Sequence, residues 1–375
     1  MTAARPLPFR AAWLLALLLA GCAAAPPAVP PREVLDSAGC RAWYAALAWE
    51  VERHGVADAQ AARVADHPEL RVDRLLAALA TAAAEGPAYA TWLRRAGELA
   101  AEGWRIELAN LPAEAYARVA AVSAGSAEEM LAGCGAWLLD ATARDTHGRA
   151  ALLATARVPD VYVDGLRWLG LYPLTRHLVM AGYGRWRDAV EALHALPPER
   201  LPVTGRLLRY AVPGPDAGSA ATPWPRDALG YPLLDAAAQA ALFAAHAPVW
   251  EIDTAGDDDR PGTPAWPPGG ALPTVDTTRP AEFRLLSYTR VAGVLLPQLN
   301  YALWFPARTA AGPGDIYAGR FDGLLLRVTL DADGAPLLVD AIHHCGCYHM
   351  FFPGPRLRPR PAAELPGEGY HVPQP

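Results

Sequence analysis

Residues 324–342 contain Leu324-Leu325-Leu326-Arg327-Val328-Thr329-Leu330, then Asp331-Ala332-Asp333-Gly334, then Pro336-Leu337-Leu338-Val339-Asp340-Ala341-Ile342. Two apolar runs rich in branched side chains flank a short polar turn in which Gly334 can take a positive φ. That arrangement predicts an antiparallel hairpin. Two earlier runs have the same character: 283–289 (FRLLSYT) and 299–305 (LNYALWF), each short, aromatic and branched. Residues 312–314 (GPG) predict a further turn. Residues 246–353 are therefore expected to form a β-rich domain built on a small antiparallel sheet, followed by a Pro-rich tail over 354–375.

Upstream the period changes from two to 3.6. Trp43, Leu47 and Val51 recur at helical spacing and stop at Gly55. The stretch 70–83 puts Leu75, Leu76 and Leu79 on one stripe, with Gly86-Pro87 as its expected stop. Residues 89–103 carry Trp92, Leu93, Ala96 and Leu99. Pro112 stands where a helix towards Val122 would begin. Ser126 followed by Glu128 and Glu129 predicts a capped helix bearing Leu131, Trp137 and Leu138. Helical patterns continue over 161–169 and 174–193, and no fixed-period repeat stands out. Leu196-Pro197-Pro198 and the Pro/Gly-rich 211–225 suggest a boundary, which divides a helical domain (36–200) from a linker or irregular stretch (201–245). A helical N-terminal region followed by a smaller antiparallel β-rich C-terminal region predicts an α+β fold.

The N-terminus carries its own signal. Arg5 and Arg10 precede an uncharged apolar stretch from 11 to 20, long enough for a signal-peptide core and too short to span a bilayer. It ends in Leu19-Ala20-Gly21-Cys22, which resembles the lipobox of bacterial lipoproteins. The resemblance implies cleavage after residue 21, diacylglycerol on the Cys22 thiol and acylation of its amine, giving enough chains for stable anchoring. Ala23 stands where an inner-membrane retention Asp commonly occurs, so the resemblance implies the outer membrane, with the protein facing the periplasm. Residues 22–35 then form a lipidated, Pro-rich tether. The run 298–353 is similar to that of uncharacterised proteobacterial lipoproteins, a resemblance that implies no activity.

Loss of Arg5 and Arg10 leaves 31 basic residues against 39 acidic, a net charge of −8, and the chain has no lysine. An acidic chain without a basic tract argues against nucleic-acid binding. Beyond Cys22 there are four cysteines. In an oxidising envelope they are expected to pair, most simply Cys40 with Cys134. Closing so long a loop contributes about 4 kcal/mol in the chain-entropy model.

Cys345 and Cys347 fall in the densest cluster of the chain: His343-His344-Cys345-Gly346-Cys347-Tyr348-His349. A continued strand would put His343, Cys345, Cys347 and His349 on one face and His344 on the other. Neighbours on that face lie about 6.6 Å apart, close enough for two thiolates to share a metal. A straight strand separates His343 from His349 by about 20 Å, so gathering all four requires a bend at Gly346. Three readings stay open: a zinc or copper site on the two cysteines with one or two histidines; a strained Cys345–Cys347 disulfide, redox-active or structural; or a polar strand edge packed on Phe351-Phe352. No nucleophile elbow, HExxH, Walker loop or GxGxxG after a strand is present. Asp253, Asp257, Asp258 and Asp259 lack the order of an EF-hand loop and are expected to form a solvated turn. The run 315–323 would place Asp315, Arg320 and Asp322 beside the Cys/His strand, and an ordinary hairpin with polar edges explains it equally well.

The leading functional expectation is a lipid-anchored binding or structural component of the envelope, with envelope proteins as possible partners. The rivals are a metal-dependent hydrolase, with Asp322 or His344 as base, and a thiol–disulfide protein using Cys345 and Cys347.

Overall fold

In a computed structural model, residues 36–373 are described, apart from 124, 161–163, 212–222, 267–271, 311, 313–314, 316–317, 359 and 361–370. The residues expected to form a signal peptide, lipidated Cys22 and a tether therefore lie outside the described residues, as do two residues of the 312–314 turn and most of the Pro-rich tail. The protein is α+β, with helices mostly N-terminal and strands mostly C-terminal. It divides into two compact units between Pro159 and Asp160.

The first unit contains α1 (Ser37–His54), β1 (Ala62–Val64), β2 (His67–Val72), α2 (Arg74–Ala78), α3 (Gly86–Asn110), α4 (Ala113–Ala121), α5 (Ala127–Arg144) and α6 (Arg149–Thr155). Its helix ends follow local chemistry. Asp36 accepts from the Gly39 N–H at 2.7 Å and Gly55, at φ 65°, closes α1. Ser126 and Glu129 exchange hydrogen bonds at 3.1 and 2.9 Å, a capping box that opens α5.

The stripe Cys40, Trp43, Leu47 and Val51 of α1 packs with Trp104 and Leu108 of α3 and with Leu131, Cys134 and Leu138 of α5. Trp43, Trp92 and Trp104 are fully buried, and each indole N–H finds an acceptor: Ser123 Oγ at 3.0 Å, the Leu76 carbonyl at 3.0 Å and the Pro68 carbonyl at 2.7 Å. The expected Cys40–Cys134 bridge is present, spanning a sequence separation of 94 and sealed from solvent.

One helix expected from the sequence is mostly something else. Within 70–83 only Arg74–Ala78 is helical, and Leu70 and Val72 belong to the strand β2, paired antiparallel with β1. The last four residues of β2 are all buried, so it is covered on both faces. A strand without a solvent face shows no polar–apolar alternation and blends into the leucines that follow. Gly86-Pro87, expected to stop a helix, starts one: Gly86 has φ 59° and Pro87 occupies the first turn of α3.

The second unit contains α7 (Asp164–Leu169), α8 (Tyr172–His194), β3 (Arg206–Tyr210), α9 (Ala236–Ala245), β4 (Trp250–Thr254), β5 (Thr263–Ala265), β6 (Thr274–Asp276), β7 (Phe283–Val291), β8 (Val294–Arg308), β9 (Gly319–Leu330), β10 (Pro336–His343) and β11 (Met350–Pro353). The stretch 201–245, expected to be irregular, thus holds both β3 and α9. Strands β7 to β11 form one five-stranded antiparallel meander in chain order. The turn after β9 is the one expected: Gly334 has φ 78° and Asp331 accepts from the N–H groups of Asp333 and Ala335 at 2.8 and 3.0 Å. Leu242 and Phe243 of α9 pack with Leu299, Tyr301, Val328 and Leu330 of the sheet, and the Tyr301 hydroxyl donates to the Phe243 carbonyl at 2.9 Å. Where the tail is described again, His371 is buried and its carbonyl accepts from the Phe351 N–H at 2.8 Å, which covers the edge strand β11.

Within the first unit, Arg71 of β2 has no exposed surface and donates to Glu107 of α3 at 2.6 Å. A Cβ on Gly103 would overlap its guanidinium, whereas a Cβ on Gly133 of α5 would meet nothing within 4 Å. Gly103→Ala is therefore expected to lower stability by about 2 kcal/mol in spite of alanine's better helix propensity, and Gly133→Ala to raise it by about 0.5–1 kcal/mol. Urea unfolding of the two variants checks this, and a gain for both would mean that the Arg71 position is soft.

Candidate functional sites: the Cys/His hairpin and a helical groove

The Cys/His cluster is the turn between β10 and β11. The strand ends at His343, and the chain reverses there: the Gly346 N–H donates to the His343 carbonyl at 2.8 Å and the His343 N–H to the Cys347 carbonyl at 3.1 Å. Gly346 (φ 81°) and Tyr348 (φ 55°) both take left-handed backbone, so the bend falls at the glycine that sequence singled out. The single-face alternation expected of a continued strand is lost with the strand.

Each histidine finds a different environment. His349 Nε2 lies 2.9 Å from Asp340, which also receives two hydrogen bonds from Arg327 at 2.7 and 3.0 Å. His343 Nδ1 lies 3.5 Å from Asp322, and its ring meets Tyr348 edge-on. His344 folds back over Gly323, where a Cβ would overlap its ring, and stands edge-on to Trp304 at 4.1 Å between centroids. Burial holds the His344 ring below the usual histidine range, favouring the neutral form.

Cys345 is exposed and Cys347 half-buried, and both are free thiols. The Cys347 N–H donates to Cys345 Sγ at 3.4 Å. Burial, together with the neighbouring Cys345 sulfur, pushes the Cys347 thiol up to about 11. Among the described residues, no group of three or more His, Cys, Asp or Glu side chains is placed to hold a metal ion. His343, His344 and His349 are turned to Asp322, Trp304 and Asp340 instead of converging with the cysteines. Of the two residues named as a hydrolase base, Asp322 faces His343 and His344 is packed against an indole.

The acidic loop is used up locally. Asp253 accepts from the Thr204 and Gly205 N–H groups at 2.7 and 2.8 Å, Asp259 from those of Ala255 and Gly256 at 2.9 Å each, and Asp258 from the Thr309 hydroxyl at 3.0 Å; Asp257 pairs with Arg260.

A second site was not visible in the sequence. In the first unit a cavity of about 440 Å³ runs between α3 and α5, walled by small and apolar residues including Gly97, Ala100, Leu131, Gly135 and Leu139. Glycine and alanine on the facing helices leave the groove empty where longer side chains would interlock. Tyr44 and Glu69 also line it. Glu69, on β2, is 2% exposed; its Oε1 accepts from Thr142 at 2.6 Å and lies 3.0 Å from His67 Nδ1. Its Oε2 is buried with no hydrogen-bond partner. Burial works against ionisation of Glu69, but the hydrogen bonds from His67, Thr142 and its own backbone outweigh it and hold the carboxyl below the usual range. The Tyr44 hydroxyl donates to the Leu131 carbonyl at 3.3 Å and is pushed up by burial, with the Glu69 charge adding to the effect.

No protein-family model matches the chain, and comparison with curated proteins and with solved structures finds no match either.

The lowered Glu69 carboxyl fixes a sign. The unfolded chain takes up this proton near the ordinary value of 4.5 and the folded chain only at lower pH. Ionised Glu69 therefore contributes stability that is fully present above the unfolded value and is lost as pH falls through the folded one. Urea midpoints of the wild type and Glu69→Gln, followed from about pH 7 to about pH 3, should converge in acid. A gap that stays constant over that range would show that the carboxylate is not stabilised by the fold.

Proposed function

We propose that the protein is a lipid-anchored binding component of the outer membrane, facing the periplasm, and that its ligand seat is the groove between α3 and α5. The anchor reading is supported by the positive N-terminus, the uncharged apolar run and Leu19-Ala20-Gly21-Cys22, and by the Pro-rich stretch that follows. The sealed Cys40–Cys134 bridge suits an oxidising compartment.

The observation that carries the binding reading is the unpartnered Glu69 Oε2 at an apolar cavity. A buried carboxylate oxygen without a donor costs roughly 1–3 kcal/mol, a penalty that a ligand N–H group would relieve. The cavity volume falls within the range of small-molecule sites, and such sites combine apolar walls with few polar groups. An apolar amine fits both features: its carbon skeleton lies along Ala100, Leu131 and Leu139 and its ammonium meets Glu69.

Two outcomes are expected. Wild-type protein should fractionate with membranes and carry acyl chains on residue 22, and Cys22→Ser should appear in the soluble periplasmic extract. Retention of Cys22→Ser on the membrane would remove the anchor reading. In calorimetric titrations, a medium-chain alkylamine should bind saturably and the alkyl carboxylate of equal length should not. Glu69→Gln should weaken amine binding about tenfold or more, the worth of one charge-assisted hydrogen bond. Ala136→Leu, a change at the exposed rim that leaves the core alone, should also weaken it by filling the groove. Equal binding of amine and carboxylate, or indifference to both substitutions, would overturn the assignment.

A further inference from the structure

The turn between β10 and β11 holds two thiols on either side of a glycine, and among the described residues nothing around them completes a metal site. Its shape is set before any reaction. Two backbone hydrogen bonds close the turn, and Tyr348, in left-handed backbone, is held by the rings of Trp186 and His343 at centroid distances of 4.9 and 5.2 Å and by Arg308 at 5.3 Å. Left-handed backbone at a non-glycine residue costs of order 1–3 kcal/mol and persists where its surroundings enforce it. The two sulfurs are not equivalent. Cys345 is exposed and already accepts the Cys347 N–H, whereas Cys347 lies half-buried behind it. The other cysteine pair is inaccessible, since Cys40 and Cys134 are both 0% exposed.

We propose that Cys345 and Cys347 form a thiol–disulfide exchange site whose substrate is a solvent-accessible disulfide. Cys345, as thiolate, attacks one sulfur of the substrate; a mixed disulfide forms and the other substrate sulfur leaves as a thiolate. Cys347 then gives up its proton to solvent and attacks Cys345 Sγ, which closes the Cys345–Cys347 bond and releases the second substrate thiolate. Two protein thiols are oxidised, one substrate disulfide is reduced to two thiols, and the protons balance through water. The exposed sulfur is placed for the first attack, and the N–H at 3.4 Å stabilises its negative charge. Burial raises the Cys347 thiol, so it stays protonated during the first attack, and the turn keeps Cys345 Sγ beside it for the second. The ring closed by two cysteines separated by one residue is strained, and a strained disulfide is readily reduced. The oxidised turn therefore passes its bond back to an accepting dithiol, and the site is reversible. This assignment is independent of the groove in the first unit.

The test uses the full-length protein in detergent, reduced under mild conditions and then exposed to oxidised glutathione. Trapped thiols are mapped on the tryptic peptide 328–356, which contains both cysteines because no arginine lies between 327 and 356. Wild-type protein should lose both thiols together and release two reduced glutathiones per chain, leaving no glutathione bound. Cys347→Ser should stop with one glutathione on Cys345, and Cys345→Ser should react at least about tenfold more slowly than wild type. Stable glutathione on both cysteines, equal reactivity of the two, or an unreactive wild-type peptide would each overturn the proposal. The wild-type mapping decides alone if a variant fails to retain the Cys40–Cys134 bridge.

Discussion

The guanidinium of Arg71 is the constraint around which the first unit is arranged. It has no solvent contact, and an unpaired charge in that position would cost several kcal/mol. Glu107 meets it at 2.6 Å, Asp58 lies at 3.5 Å, and the Trp104 ring lies 4.7 Å beneath it. Arg63 reaches the same Glu107 oxygen at 3.1 Å and the same indole at 4.2 Å. These contacts tie β2 to one register along α3, and they explain why residue 103 has no side chain. Glu69 lies two residues earlier on the same strand and so on the same face, which brings it to Thr142 of α5. The acid of the groove is thus positioned by the register that pairs Arg71 with Glu107. Tyr44 sits within reach of both charges, as the opposing effects of Glu69 and Arg71 on its hydroxyl show.

The second unit places its polar groups differently. One of its buried carboxylates, Asp340, is matched across the sheet by Arg327 and at the next strand by His349, so that both its oxygens are used. The histidines of the hairpin are likewise spent on Asp322, Trp304 and Asp340. What the turn leaves available is sulfur. The two cysteine pairs therefore differ by exposure more than by chemistry: the pair between α1 and α5 is locked inside a core, and the pair after β10 sits at a tip where solvent reaches it.

Much of the architecture was legible because its signals are local. The 331–334 turn, the Ser126 cap, the stripe of α1 and a small antiparallel sheet all follow from spacing and turn chemistry within a dozen residues. The partner of Cys40 was expected as the simplest pairing of the four remaining cysteines, and the bridge is present. The strand β2 was not legible, because burial on both faces erased its alternation. The groove was not legible for a related reason. Gly97, Ala100, Gly135 and Leu139 belong to two helices some forty residues apart, and Glu69 comes from a strand whose last three residues the pattern assigned to a helix. In the hairpin, the concentration of Cys and His was visible but their directions were not. Those depend on Asp322, Trp304 and Asp340, contributed by neighbouring strands whose register no single segment encodes.

The absence of lysine bears on how these sites are built. A compositional bias that makes every side-chain cation an arginine also makes a fully buried cation workable. A guanidinium can lie flat on Trp104 and still direct separate N–H groups at Glu107 and towards Asp58; an ammonium has one centre and a tighter hydration shell. The same planar geometry serves Arg327, which grips both oxygens of Asp340 at 2.7 and 3.0 Å. Both units thus depend on a guanidinium–carboxylate pair at a strand. In the first unit the neighbouring acid, Glu69, is left with an open oxygen. In the second no such oxygen remains on Asp340, and the exposed chemistry passes to the thiols. That contrast is the physical ground for proposing ligand binding in one unit and thiol–disulfide exchange in the other.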